Sequence, residues 1–339
     1  MRVEEFAPLI ILIGAAWLDY LIGDPWTWPH PVQVMGWMIT RYSEFVLPRF
    51  QEKWPRRIVG IILGVGLTGG SAIASWGMVQ LAAIIHPIVG ILVSAIALAS
   101  CFAARSLRDA AFDVLQPLQN GDLDTARAKL SLYVGRDTDS LSEAEILRAV
   151  LETVAENTTD GMTAPLFYAI LGSCIPGVGA IPLCFGYKAA STLDSMVGYR
   201  REPYEDLGWF SAQFEDKLTW FPCRLTVLTI ALLSGKPGYV ISLCRRDAIQ
   251  DSSPNSGWSE CAYAAALGVQ MGGKNTYNGI IKEKPLLGAA KQPITPEIIN
   301  RALRLTRVCL LLWLVIGCLV FVTLTGSPIP EFVGLSTWL

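Results

Sequence analysis

The chain has 339 residues, 52% of them hydrophobic and only 17% charged, with a mean hydropathy of +0.41. Soluble domains carry roughly a quarter charged residues, so a bilayer is the expected solvent. A net charge of −2 excludes a nucleic-acid partner, which demands a strong basic excess. The eight cysteines include no C-x-x-C pair and several lie in apolar runs, where they act as small hydrophobes. Neither a zinc site nor a disulfide framework is indicated. The fold class read from these properties is all-α: a polytopic helical membrane protein with cytoplasmic helical insertions.

The N-terminal segment has one arginine, two glutamates, a short apolar stretch and no A-x-A site, and reads as an uncleaved anchor with a first span over 6–22, interrupted by Asp19. From Ile58 to Ala104 only His86 can titrate among non-cysteine side chains. At ~1.5 Å per residue this run crosses a ~30 Å core twice, giving spans over 58–80 and 84–104 that turn near His86-Pro87. Gly60, Gly64, Gly66 and Gly70 stand at small-xxx-small spacing, which lets helices approach closely in lipid. Residues 105–160 form a cytoplasmic helical subdomain: Asp122 or Asp124 starts a helix, Gly135 ends it, and Ser142-x-x-Glu145 makes a capping box for the next.

The apolar stretch 162–187 is broken by Pro176, Gly177 and Gly179 into two half-length pieces, which suits a re-entrant pair better than a full crossing. A further span, 218–234, carries Arg224. Residues 236–306 form a second cytoplasmic segment with no β-alternation of useful length and no internal repeat. The last span is 308–326. Basic residues between Arg41 and Arg57, Arg105 with Arg108, and Arg301, Arg304 and Arg307 place these three regions in the cytoplasm by the positive-inside rule, and leave the C-terminus outside.

Four polar clusters carry the candidate chemistry. In the first, GDPWTWPHPVQVMG, Asp24 and His30 lie at the membrane boundary among prolines and tryptophans; interfacial anchoring is the competing reading. In the second, Arg148, Glu152, Glu156 and Asp160 repeat every four residues on one helix face, followed by Asn157-Thr-Thr-Asp160-Gly161, and Arg136 sits in a nearby turn. Such carboxylates either face solvent or hold Mg²⁺, which binds through one or two carboxylates plus phosphate oxygens. In the third, Lys188, Thr192 and Ser195 make a donor-rich stripe beside Asp194 and Arg200, either a phosphate or carboxamide site or a helix glued by hydroxyls. In the fourth, Arg245 precedes Ser253-Pro-Asn255-Ser256-Gly257, a loop opening a helix whose free N–H groups favour an anion. Gly268-x-x-x-x-Gly273-Lys274-Asn275 matches a P-loop only in part: Asn replaces Ser or Thr, and no strand precedes it.

These clusters, in this order and between these spans, resemble the adenosylcobinamide-phosphate synthase family of cobalamin biosynthesis, the CobD/CbiB type. The likeness covers most of the chain and rests on GDPWTWPHPVQVMG, ENTTDGMTAPLFY, YKAASTLDSMVGYR and SPNSGWSE, with LGVQMGG shortly after. The stretch from Ile175 to Ile181 is longer and more broken than the family pattern. The resemblance implies a multi-pass inner-membrane enzyme with a cytoplasmic active site. Its reaction would be ATP-dependent amide formation between a side-chain carboxylate of adenosylcobyric acid, the corrinoid substrate, and the amine of aminopropanol or its phosphate. ATP and Mg²⁺ serve as co-substrate and metal, and other membrane enzymes of cobalamin assembly are conceivable partners. On this reading Glu156, Asp160, Asp194 and Lys188 are catalytic, and Glu152, Glu156 and Asp160 hold the metal. Asp24, His30, Arg136, Asn157, Thr192, Ser195, Arg200, Arg245, Ser253, Asn255 and Ser256 bind substrate or phosphate. A transporter or membrane sensor of related architecture is the alternative. The secure spans speak against it, since they lack the midplane ionisable residues that transport requires.

Overall fold

The uncharged run after Ile58 folds as two helices that meet at a histidine. Helix α3 (Lys53–Ile85) ends at His86, whose Nδ1 accepts from the Ile88 amide at 3.2 Å and so caps helix α4 (Pro87–Ala99). Pro87 occupies the first helical position, where a missing N–H costs nothing. The structure is a computed structural model that describes residues 6–23, 30–199 and 201–325; the expected exterior C-terminus lies outside them. Three helical stretches are long and apolar enough to cross a membrane: Lys53–Ile85, Pro87–Gln119 and Pro296–Leu324. The last of these belongs to helix α13 (Pro296–Thr325). Ile62, Ile73, Leu81 and Ile84 of α3 and Leu311, Val315 and Leu319 of α13 are exposed, an apolar belt that lipid would cover.

Helix α1 (Ala7–Leu21) packs on α4, and helix α2 (Pro31–Val46) on α9 (Ala180–Val197). The stretch 162–187 is a helical hairpin: α8 (Ala164–Ser173) rises only about 15 Å, a turn follows, and α9 (Ala180–Val197) runs back. At the turn, a Cβ on Gly172 would stand 2.3 Å from the Gly179 carbonyl oxygen, so the backbones touch. Helix α9 is the hub of the bundle, in contact with α2, α3, α4, α8 and α10 (Trp209–Leu233). Two prolines free carbonyls that distant groups satisfy. Pro165 leaves the Gly161 oxygen to the Ala103 amide at 3.0 Å, and Pro222 leaves the Leu218 oxygen to the Tyr168 hydroxyl at 2.9 Å.

The polar parts stand at one end of this bundle. Helices α5 (Ala104–Gln119), α6 (Leu123–Leu130) and α7 (Glu143–Thr158) make up the first insertion, with Asp122 capping α6 and the Ser142/Glu145 capping box opening α7. Gly135 does not end α6, which stops at Leu130. The second comprises α11 (Pro237–Asp247), α12 (Ser256–Leu267) and a feature not anticipated in the sequence, the antiparallel hairpin β1 (Gln270–Tyr277) and β2 (Ile280–Gly288). Its turn is Asn278-Gly279, both at positive φ (52° and 77°), the two-residue turn whose twist suits paired strands. The polar strand composition hides the period-two pattern, and Asn-Gly was its one clear signal. Lys274 lies within β1, so no P-loop forms.

Of the spaced glycines, Gly60 and Gly64 face the start of α10, where added Cβ atoms would stand 2.1 Å from the Leu207 oxygen and 2.6 Å from the Phe210 ring; Gly66 and Gly70 face open space. Gly60→Ala is therefore expected to cost about 1–3 kcal/mol through overpacking, read as a lower Tm in detergent. Gly66→Ala should not lower the Tm, and equal losses for both would show that α3 and α10 do not meet in this way.

Candidate active site

Helix α7 points its carboxylates at the hairpin and α12. Glu152 is buried, ion-paired to Arg136 and, at 3.5 Å, to Arg148, and accepts from the Gly272 amide at 3.1 Å. Arg148 also donates to the carbonyls of Gly272 and Lys274 and to Asn275 Oδ1, and Arg136 to Asn275 Oδ1 at 2.9 Å. Asp137 accepts from the Asn278 and Gly279 amides at 2.9 and 2.8 Å. The hydrogen bonds of Glu152 and Arg136 are thus spent on fastening the hairpin. This departs from the expected metal role of Glu152 and phosphate role of Arg136.

One turn further, Glu156 keeps an exposed side chain. Desolvation by the protein around it raises its carboxyl above the ordinary range; Lys284 opposes this, while Glu152 and Asp251 add to it. The helix then widens into a π turn, Thr159–Thr163, a form common at functional sites. Asp160 on this turn lies within electrostatic reach of Glu215, Glu156, Asp194 and Lys188. Glu215, on α10, accepts from Thr219, whose hydroxyl also meets Tyr187 at 3.0 Å. On the opposite wall Lys284 of β2 reaches Glu260 of α12 at 3.0 Å. Glu260 is fully buried and its Oε2 has no hydrogen-bond partner; burial pushes its carboxyl up to about 8 against the pull of Lys284. Burial works against the Lys284 charge, but Glu260, Glu156, Asp251 and Glu152 outweigh it and hold the ammonium above its usual range.

The loop before α12 is folded inward. Ser253 Oγ accepts from the Asn255 and Ser256 amides at 3.3 and 3.2 Å, Asp251 accepts from the Ser253 amide at 2.9 Å, and Asn255 Nδ2 donates to the Asp216 carbonyl at 2.9 Å. With N–H groups so used and two acids adjacent, an anion is favoured here only in company with a cation, not on the bare cradle foreseen for Ser253, Asn255 and Ser256. Arg224, set within the apolar helix α10, donates to the Pro254 carbonyl at 2.9 Å and lies over the Trp258 ring at 4.1 Å, pinning the loop.

The structure therefore brings together Glu156, Asp160, Asp194 and Lys188 among the expected residues. Asn157, Thr192 and Ser195 bond to carbonyls of their own helices, and Arg245 is exposed on the last turn of α11. His30 caps α2, accepting from the Val32 amide at 3.3 Å. Asp24 and Arg200 lie outside the described residues. Glu215, Asp251, Glu260 and Lys284 were not foreseen. Glu260 left one signal, a lone acid in the small-residue run of α12; the others look like solvent-facing charge in sequence. Among the described residues no group of three His, Cys, Asp or Glu side chains is arranged to hold a metal alone.

The fold and site define a helical membrane protein with a cluster of carboxylates and lysines, of which Glu215 and Glu260 are buried. Residues 12–306 match the family described as CobD/Cbib protein. The chain is 52% identical over 323 residues to cobalamin biosynthesis protein CobD of Synechocystis sp., covering 95% of this chain and 94% of that one. It is 40% identical to the CobD of Halalkalibacterium halodurans, covering 94% and 97%, and 42% identical to cobalamin biosynthesis protein CbiB of Salmonella typhimurium, covering 86% and 90%. No solved structure matches. The chain belongs to the CobD/CbiB family of cobalamin biosynthesis proteins.

Because the folded Glu260 carboxyl is held at about 8 against an ordinary 4.5, the folded state binds the extra proton between these values. Stability falls as pH rises through that window and then levels. Melting in detergent from pH 5 to 8 should show this decline, and Glu260→Gln should flatten part of it; an unchanged slope in the variant would place the titration elsewhere.

Proposed function

We propose that this protein catalyses ATP-dependent amide formation between a side-chain carboxylate of adenosylcobyric acid and the amine of aminopropanol or its phosphate, giving adenosylcobinamide or its phosphate. The observation that carries this reading is the convergence of Glu156, Asp160, Asp194 and Glu215 with Lys188, and of Glu156 and Glu260 with Lys284, at the polar end of a membrane bundle. A ligase needs this mixture: hard anionic ligands for a phosphate-bound cation, ammonium groups for the phosphates and the reacting carboxylate, and a carboxylate base for the amine. The family relatives, named for cobalamin biosynthesis, support the substrate. The positive-inside pattern supports a cytoplasmic site in the inner membrane. Transport is not favoured, since α3 from Ile58 onward, α4 and α13 from Val308 onward carry no Asp, Glu, Lys or Arg.

In the first step a carboxylate oxygen of the corrinoid attacks the γ-phosphorus of ATP, and the bond from that phosphorus to the β-phosphate oxygen breaks, leaving an acyl phosphate and ADP. In the second the amine nitrogen attacks the acyl carbon, the carbon–oxygen bond to phosphate breaks, and inorganic phosphate departs. The proton shed by the amine passes to a carboxylate, a role that Asp160, within electrostatic reach of both Asp194 and Lys188, would take. Mg²⁺, held through Glu156 and Asp160 together with phosphate oxygens and water, would neutralise charge on the transferred phosphoryl group. Lys284, fixed by Glu260, faces the same space and would take a phosphate oxygen. Holding the amine against a short-lived acyl phosphate supplies ~7–11 kcal/mol through effective molarity, so placement outweighs any single acid or base.

Purified protein in detergent, given adenosylcobyric acid, aminopropanol phosphate, ATP and Mg²⁺, should yield a product whose mass is that of the two joined with loss of water; no such product, with all substrates bound, would sink the proposal. Glu156→Gln keeps the shape and removes a hard ligand. Turnover is expected to drop about 100-fold or more, as for loss of an electrostatic partner of the transition state, with part recovered at high Mg²⁺ and the Tm kept. Full turnover in that variant would return the cluster to a structural role. Lys274→Ala, on the exposed face of β1, should leave turnover intact.

A further inference from the structure

Beside the carboxylate cluster lies a cavity of about 770 Å³. It opens between the end of α1, the first turn of α2, the α4–α5 junction and α9. Ile22, Val32 and Phe102 give it an apolar wall, and Gln33, Ser106 and Lys188 are among its polar groups. Its charged rim is largely compensated from within. Arg105 donates to the Leu21 carbonyl at 2.7 Å and pairs with Asp109 at 3.2 Å; Asp113 accepts from the Tyr133 hydroxyl at 3.0 Å and pairs with Lys129 at 3.2 Å. Gly23, at φ +64°, is packed where a Cβ would stand 2.9 Å from Arg105 Cδ, so this edge is built tightly.

Size and charge select among the co-substrates. Pockets of roughly 300–1,000 Å³ house drug-sized ligands, so this volume far exceeds what a three-carbon amino alcohol or its phosphate fills. A triphosphate needs concentrated uncompensated cations, and the rim's arginine is already matched by carboxylates and carbonyls. An apolar wall edged with amide, hydroxyl and imidazole groups suits instead a large ring fringed with primary amides. Lys188 both lines this cavity and stands within electrostatic reach of Asp160 in the carboxylate cluster. It marks the seam between the two spaces.

We propose that this cavity receives the macrocyclic carboxylic acid, and that Lys188 holds the acid's reacting carboxylate at the seam with the carboxylate cluster. The assignment rests on the ligase reading for its choice of ligand, and it divides the labour of the site. The ring is gripped between α1, α2 and α5, while phosphoryl transfer proceeds beyond Lys188.

Binding of adenosylcobyric acid to the purified full-length protein in detergent, without ATP, tests this by ultrafiltration and visible absorbance. Gln33→Trp, at an exposed position, and Ser106→Phe should fill the cavity and weaken binding by about tenfold or more, with the KM values for ATP and amine unchanged, as expected for loss of ground-state binding to one substrate. Lys188→Met should lower kcat more than it lowers ring binding, and Lys188→Arg should restore part of the rate. Unchanged ring binding in both filled variants at normal Tm, or a raised KM for ATP instead, would overturn the assignment. If the wild type binds the ring, both fillings weaken that binding, and no amide forms from the complete substrate set, the ligase reading fails while the cavity assignment stands. Amide formation with ring binding indifferent to both fillings fails the cavity alone.

Discussion

Glu152 is a carboxylate that is 2% exposed and clasped by Arg136 and Arg148, and the position of the hairpin follows from it. An ionised group in such a place is tolerated only with partners for its lone pairs, and removing one partner of a buried pair costs about 3–5 kcal/mol. Here the partners are shared. The two guanidiniums that neutralise Glu152 also bind the carbonyls and Asn275 side chain of β1, and Glu152 accepts the Gly272 amide at the bulge. A Cβ at Gly272 would stand 2.0 Å from the Pro285 oxygen, so only glycine lets β2 come this close. Through that register β2 delivers Lys284 to Glu260. The ammonium in the candidate site is thus positioned by a charge knot that fastens the hairpin carrying it.

A second constraint acts from below. The π turn carrying Asp160 is tied to three other helices by hydroxyls: Thr158 meets Tyr263 at 3.0 Å and Thr306 at 2.9 Å, Thr159 donates to Ser259 at 3.1 Å, and Thr163 meets Thr226 at 2.6 Å. In a low-dielectric interior such bonds are strong and an unmade one is costly, so the widened turn is locked by its neighbours. Pro165 contributes by removing one helical donor, and Gly161 offers its freed carbonyl to Ala103 and room for the Ala103 methyl, 3.2 Å from where a Cβ would be. The ENTTDGMTAP stretch thus does two things at once: it bends the chain into the bundle and presents an acid at the bend.

The long helices were legible in the sequence because lipid imposes a simple rule, uncharged runs of sufficient length, and the capping signals at Asp122 and Ser142 obeyed local backbone chemistry. The acids of α7 and the π turn were legible too, through four-residue spacing. What stayed hidden depends on tertiary partners. Glu152 and Glu156 look equivalent one turn apart, yet one is spent on two arginines that come from a preceding loop and its own helix, and the other keeps an exposed side chain. Glu215 and Lys284 sit in runs of mixed charge, Gln213-Phe-Glu-Asp-Lys217 and Lys282-Glu-Lys284, where sequence pattern gives no means of telling the buried charge from the solvated one. The hairpin escaped for a related reason: its exposed strand positions alternate too weakly to be told from loop, leaving only the Asn-Gly turn as a marker.

Charge balance explains why the cluster is chemically unsettled. Glu156, Asp160, Asp194, Glu215, Asp251 and Glu260 outnumber Lys188 and Lys284, and the arginines nearby are committed to Glu152 and the hairpin. An excess of carboxylates held close together relaxes in one of two ways, by keeping protons or by taking a cation. The raised carboxyls of Glu156 and Glu260 are the first way. Both respond to Lys284, so an anion that drew its ammonium away from Glu260 would deepen the proton affinity there, while a divalent ion beside Glu156 would lower it. Protons and the Lys284 ammonium are therefore linked through one set of carboxylate oxygens, so that any change in the lysine's position changes the protonation of the acids around it.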